Sequence, residues 1–177
     1  MSETITGLTL EALRDAFQNV GYRVETLTDP VAGTSYLRSA TAGLGFEIRP
    51  GNSLVGDDQN FVDVMLVSTL QVQGELPLDL VNRWNATRRF GRLQLSPPFL
   101  AFCLDVSVAG GVAPNYLRAQ IEIWDRLVQE LIGYLREELP KVAAANNAAA
   151  AAAQAGSAAQ QPALERTAEQ GAGATIQ

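Results

Sequence analysis

Arg83, Arg88, Arg89 and Arg92, interleaved with Asn82, Trp84 and Asn85, form the cluster in this chain best equipped for recognition. Guanidinium forks match carboxylates and phosphates in two-point geometry, so the cluster suits an anion or an acidic peptide. The plainer account is a solvated face with one or two ion pairs, since exposed pairs contribute little. Asp57, Asp58 and Asp63 supply hard oxygen ligands for a cation, but no loop of EF-hand spacing follows them, and an acidic surface loop is expected. Gly110-Gly111 precedes a helix start without GxGxxG or a P-loop lysine, which reads as a tight strand-to-helix turn rather than a phosphate cradle. Cys103 stands alone, so it forms no intrachain disulfide, and it has no basic neighbour in sequence to activate its thiol. The chain contains no histidine, which removes the Ser-His-Asp triad, the Cys-His pair and the His-ligated metal site together. No carboxylate pair stands out for hydrolysis. The expectation is a protein without catalytic residues, metal or cofactor.

The elements that must position the cluster follow from periodicity. Leu80, Val81 and Trp84 make an apolar stripe on a helix beginning at Leu78, with Phe90 and Gly91 at its end. Asn is a middling helix former, so Asn82 and Asn85 on that helix imply a tertiary contact that favours them. A strand over 92–95, a turn over 96–98 and a cleanly alternating return strand over 99–108 follow. Leu117, Ile121, Trp124, Leu127, Val128, Leu131, Leu135 and Leu139 then trace one face of a long helix that Pro140 is expected to stop. Ile123, Ile132 and Tyr134 lie off that stripe and make the helix greasier than one-sided packing requires.

Upstream, Thr9 reads as the N-cap of a helix with Leu10, Leu13, Phe17 and Val20 on one face and Gly21 as its stop. The period then shortens to two. Strands are expected over 22–27, 35–40, 44–49 and 61–72, with 56–60 a polar loop. The last of these has one aliphatic face and one mixed face, which suits a second layer or a subunit contact. The fold class is therefore α+β: an antiparallel sheet of about five or six strands flanked by three helices, in the order α-β-β-β-β-α-β-β-α.

Length and charge bound the rest. The 177 residues have room for one domain with a real core, although much of the 47% hydrophobic content is alanine near the C-terminus. Residues 1–142 are read as the domain and 143–177 as an alanine-rich low-complexity tail, largely disordered or frayed helix. A net charge of −6 disfavours nucleic acid and anionic membrane surfaces as partners, because both require a concentrated basic excess. The N-terminus has neither a basic nor an apolar leader segment, and no run is apolar enough to span a bilayer, so a cytoplasmic protein is expected.

Val81-Asn82-Arg83-Trp84-Asn85, then Phe90-Gly91-Arg92, then Leu104-Asp105-Val106-Ser107-Val108-Ala109-Gly110-Gly111-Val112, with Trp124 in the last helix, together resemble the YbjN family of small bacterial proteins over residues 9–139. The resemblance implies a fold similar to type III secretion chaperones and a role as a regulator of sensory transduction or a chaperone-like binding module. The departures are the Pro97-Pro98 turn, Ala113 where a Ser or Thr cap is usual, and the alanine tail. The function expected is a non-enzymatic module that binds a protein or peptide through the surface of Asn82, Arg83, Trp84, Asn85, Arg88, Arg89 and Arg92, in a homodimer. The alternative is a small-anion sensor or cryptic enzyme using the Arg-rich second helix.

Overall fold

Thr9 opens the first helix as expected: its hydroxyl accepts the Ala12 N–H at 3.1 Å. The helix α1 (Leu10–Asn19) buries Leu13 and Phe17. Gly21 then takes φ +95°, the left-handed conformation that glycine adopts without penalty. The computed structural model describes residues 4–159, with backbone alone at 156–159. After α1 come β1 (Glu25–Thr28), β2 (Ser35–Thr41), β3 (Leu44–Pro50), β4 (Ser53–Leu54), β5 (Asp57–Phe61) and β6 (Asp63–Gln71). The chain continues through α2 (Leu78–Thr87), β7 (Arg92–Ser96), β8 (Phe99–Ser107) and α3 (Tyr116–Ala159).

Six strands form one antiparallel sheet in the order β1-β2-β3-β6-β8-β7. The predicted order holds, with one addition. Residues 56–60, expected as a polar loop, lie in a small hairpin in which β5 pairs with β4. Leu8 and Phe61 exchange backbone hydrogen bonds at 2.8 Å and anchor this hairpin to the N-terminal segment. Its arm Asp57–Phe61 is polar and mostly exposed, so no apolar alternation announces it. Strand limits also move: Tyr22 lies between α1 and β1, its ring edge-on to Phe17 at 5.6 Å, and Phe61 belongs to β5 rather than β6.

The inward residues Leu37, Phe46, Ile48, Val64, Leu66, Leu100, Phe102, Leu104 and Val106 are all buried. All three helices pack against this face, joined through a run of aromatic rings. Phe17 meets Phe46 at 5.9 Å, Phe46 meets Trp124 at 5.4 Å, and Trp124 stacks on Phe102 at 5.3 Å. Trp84 then meets Phe102 edge-on at 5.5 Å and Tyr134 at 5.3 Å. Tyr134 is thus no surplus apolar group: its hydroxyl donates to the Leu80 carbonyl at 2.6 Å.

The chain divides into two compact units, Met1–Arg136 and Glu137–Gln177, and the sheet belongs to the first. Pro140 does not stop α3, a correction to the expected helix end. Proline removes one helical N–H, but strong helix formers flank it on both sides, and Lys141 bridges to Glu137 at 2.9 Å and Glu138 at 2.8 Å. Leu139, expected on the buried stripe, is exposed. Residues 143–159 continue α3, and the rest of the expected tail, 160–177, lies outside the described residues.

The two tryptophans are equally buried but differently satisfied. Trp84 Nε1 donates to the Gly91 carbonyl at 3.1 Å, whereas Trp124 Nε1 has no hydrogen-bond partner among the described residues. Trp84→Phe is therefore expected to cost about 1 kcal/mol more than Trp124→Phe in urea denaturation, because it strands a buried carbonyl. Equal losses would show that this bond contributes nothing.

Candidate functional site

Asn85 explains why asparagine is tolerated in α2. Its Nδ2 donates to the Leu93 carbonyl at 3.0 Å and its Oδ1 accepts the Leu93 N–H at 2.9 Å. β7 is an edge strand, so this one amide satisfies both outward backbone groups of Leu93, as a neighbouring strand would. Trp84 is fully buried and belongs to the core, not to a binding surface. Asn82 lies on the exposed side of α2.

The four arginines separate. Arg83 pairs with Asp79 at 3.2 Å along the helix, Arg88 with Glu130 at 3.4 Å on α3, and Arg92 with Asp105 across the sheet. Arg88 also lies over the Trp84 ring at 5.5 Å. Arg89 stacks over Phe90 at 5.5 Å and, among the described residues, makes no ion pair. Three of the four guanidinium groups thus already hold carboxylates, which disfavours the small-anion alternative.

The exit from α2 is tighter than a helix end followed by a glycine would suggest. The helix stops at Thr87, and Gly91 N–H donates to the Arg89 carbonyl at 3.0 Å around Phe90, whose φ is +72°. An i-to-i+2 bond about a residue with positive φ is the rarer, strained hand of γ-turn. Gly91 is needed for space: a Cβ there would lie 2.5 Å from Phe102 Cζ.

The remaining sequence candidates resolve structurally. Asp57 accepts from Asn60 Nδ2 at 2.6 Å and Gln59 N–H at 3.1 Å, and these bonds hold its carboxyl below the usual range. Asp63 accepts from Asn52 N–H at 3.0 Å and Asn52 Nδ2 at 2.7 Å, while Asp58 lines a cavity with Asp63. No group of three metal-ligating side chains gathers among the described residues. Gly111 is closed over by the N-terminal segment, since an added Cβ would meet Thr4 Cγ2 at 2.6 Å, so the glycine pair is a turn and not an anion cradle. Cys103 is 1% exposed, and burial pushes its thiol pKa up, against a smaller opposing pull from Arg92.

What the sequence did not reveal is that most positions on the second face of the sheet are exposed or half-buried among the described residues. Across it runs one continuous row of cross-strand neighbours: Glu25, Arg38, Glu47, Val67, Cys103 and Arg92. A second row places Arg49 beside Met65 and Met65 beside Asp105. Arg49 is the electrostatic node of this face, bonded to Glu47 at 2.6 Å and Asp29 at 3.2 Å and lying over Tyr36 at 4.5 Å. A cavity of about 840 Å³ opens here, lined by Tyr36, Arg49, Met65 and Asp105 with Asp58 and Gln59 of β5. A second, of about 610 Å³, lies between the exit of α1 and β2. Beside it Asp125 of α3 accepts from Tyr22 at 3.0 Å, from Thr41, and from Gln129 at 2.8 Å, which ties α3 to the sheet.

Asn85→Ala is expected to lower stability by about 1–2 kcal/mol by leaving both Leu93 groups unpaired. Asn82→Ala, on the exposed side of the same helix, is expected to be neutral or slightly stabilising, and equal losses in a melting comparison would remove the bracket as an explanation. Asp29 tests the node by pH. The Ala32 and Val31 N–H groups, then Arg49, hold its carboxyl below the usual range. Its contribution is therefore complete at neutral pH and is lost as pH falls from about 4 through the lowered value. Asp29→Asn is expected to flatten this part of the stability–pH curve, and an unchanged acid slope would show that the carboxylate is not engaged.

Among the described residues no helix is long and apolar enough to cross a membrane. No curated protein and no solved structure matches the chain significantly. The family model of YbjN, described as "Putative bacterial sensory transduction regulator", matches residues 9–137, which include the whole sheet, the bracketing Asn85 and the strained turn. The chain therefore belongs to the YbjN family.

Proposed function

We propose that the chain is a non-enzymatic regulator that works by holding other protein surfaces, and that its working form is a homodimer closed across the open face of the sheet. The observation that carries this is the near-neutrality of that face within an acidic chain. Its strand residues set Arg38, Arg49 and Arg92 against Glu25, Glu47, Asp63 and Asp105, a net of −1 on a chain of −6 before Asp29 and Asp58 at its margin are added. Opposite charges alternate here, which limits like-charge repulsion between two copies, and half-buried Met65 and Ala101 add apolar surface over the buried Val67 and Cys103. The size is adequate. Six strands at about 4.8 Å spacing and up to nine residues of length give on the order of 700 Å², close to the roughly 800 Å² per partner of a standard interface. The regulatory part of the reading rests on the family description.

Size exclusion with light scattering tests the assembly. The full chain is expected at about twice 18.9 kDa. Thr69→Glu combined with Gln94→Glu, two exposed positions of the open face, is expected to give the 18.9 kDa species while keeping a cooperative melting transition. A wild-type monomer at high concentration, or a variant that still dimerises, would overturn the proposal.

A further inference from the structure

Phe90 combines two features that folding alone does not reward. Its side chain is 61% exposed, and its backbone takes φ +72°, a conformation that a bulky residue adopts at a cost and glycine adopts freely. Strain of this kind persists only where the surroundings enforce it. The surroundings do so here from both sides. Before the turn, the Arg88 N–H donates to the Trp84 carbonyl at 2.9 Å, and the Arg88 side chain is tied to Glu130 and lies over Trp84. After it, the Gly91 carbonyl accepts the Trp84 indole, and Asn85 brackets Leu93. The core thus fixes the backbone that presents this aromatic ring to solvent, which lowers the ordering cost of binding it.

The flanking charge selects the partner. Arg89 stacks on the Phe90 ring and makes no ion pair among the described residues, with Arg88 beside it, on a chain that is otherwise acidic. Aromatic and arginine side chains at a rigid protrusion are the composition of an interface anchor. We infer that the turn 88–91 is a preformed docking tip: Phe90 enters an apolar pocket on an acidic partner protein, and Arg89 meets a carboxylate at the rim of that pocket. The inference rests on the protein-binding reading but not on the dimer, whose own test is the mass of the assembly.

The experiment places the photo-crosslinker p-benzoylphenylalanine at position 90 of the full chain in bacterial lysate, with the same group at Val31, which is 95% exposed on another loop, as the control. The expected result is an adduct specific to position 90 with a net-acidic protein. Its yield should fall roughly tenfold or more when Arg89→Glu is added, the scale of losing an interface anchor. Excess wild-type chain should compete it away and excess Phe90→Gly chain should not, although Phe90→Gly should melt no lower than wild type because glycine relieves the turn. The inference is overturned by no adduct above the Val31 control, an adduct with a basic protein or a second copy of the chain, equal competition by Phe90→Gly, or a lower melting point for that variant.

Discussion

Phe102 and Trp124 lie with ring centroids 5.3 Å apart and planes 18° apart, and the rest of the domain is arranged around this pair. Phe102 is on β8, between β6 and the edge strand β7, and Trp124 is on the longest helix, so their stacking fixes the height at which helix and sheet meet. Trp84 approaches Phe102 edge-on from α2, and the same phenyl ring excludes a side chain at Gly91. The core contact thereby reaches the surface: one ring sets the helix packing, forces a glycine, and pushes the positive φ onto the residue before it.

The elements that were legible in the sequence are those whose signals are local. Thr9 caps α1, the 99–107 alternation gives β8, and the stripe through Trp124 gives the buried face of α3, each readable within a few turns or one strand. The resemblance at 81–85 and 104–112 pointed to the right family for the same reason. The β4–β5 hairpin was hidden because its polar arm carries no alternation, and its anchor is a bridge to Leu8 far upstream. Pro140 misled because its lost bond is a local penalty that flanking helix formers can outweigh.

The candidate site was legible as a place but not as a mechanism. Asn82 and Asn85 look alike in sequence, and only the position of Leu93 on an edge strand separates the exposed one from the bracketing one. The partners Asp105 and Glu130 that occupy Arg92 and Arg88 sit on other elements. Phe90-Gly91 would ordinarily place the left-handed residue at the glycine, whereas packing against Phe102 reserves Gly91 for its lack of a side chain. The open sheet face was equally opaque, since an outward strand residue reads the same facing water, a second layer or a second subunit.

The amide bracket on Leu93 also governs how the molecule behaves in a crowd. An edge strand with free backbone groups is a template on which further strands can grow, and such growth has no natural end. Asn85 occupies the donor and acceptor of Leu93, the second residue of the short edge β7, so a strand arriving there would have to displace a formed pair before gaining its own. One asparagine, poorly suited to its helix, thus blocks one pairing position on this edge.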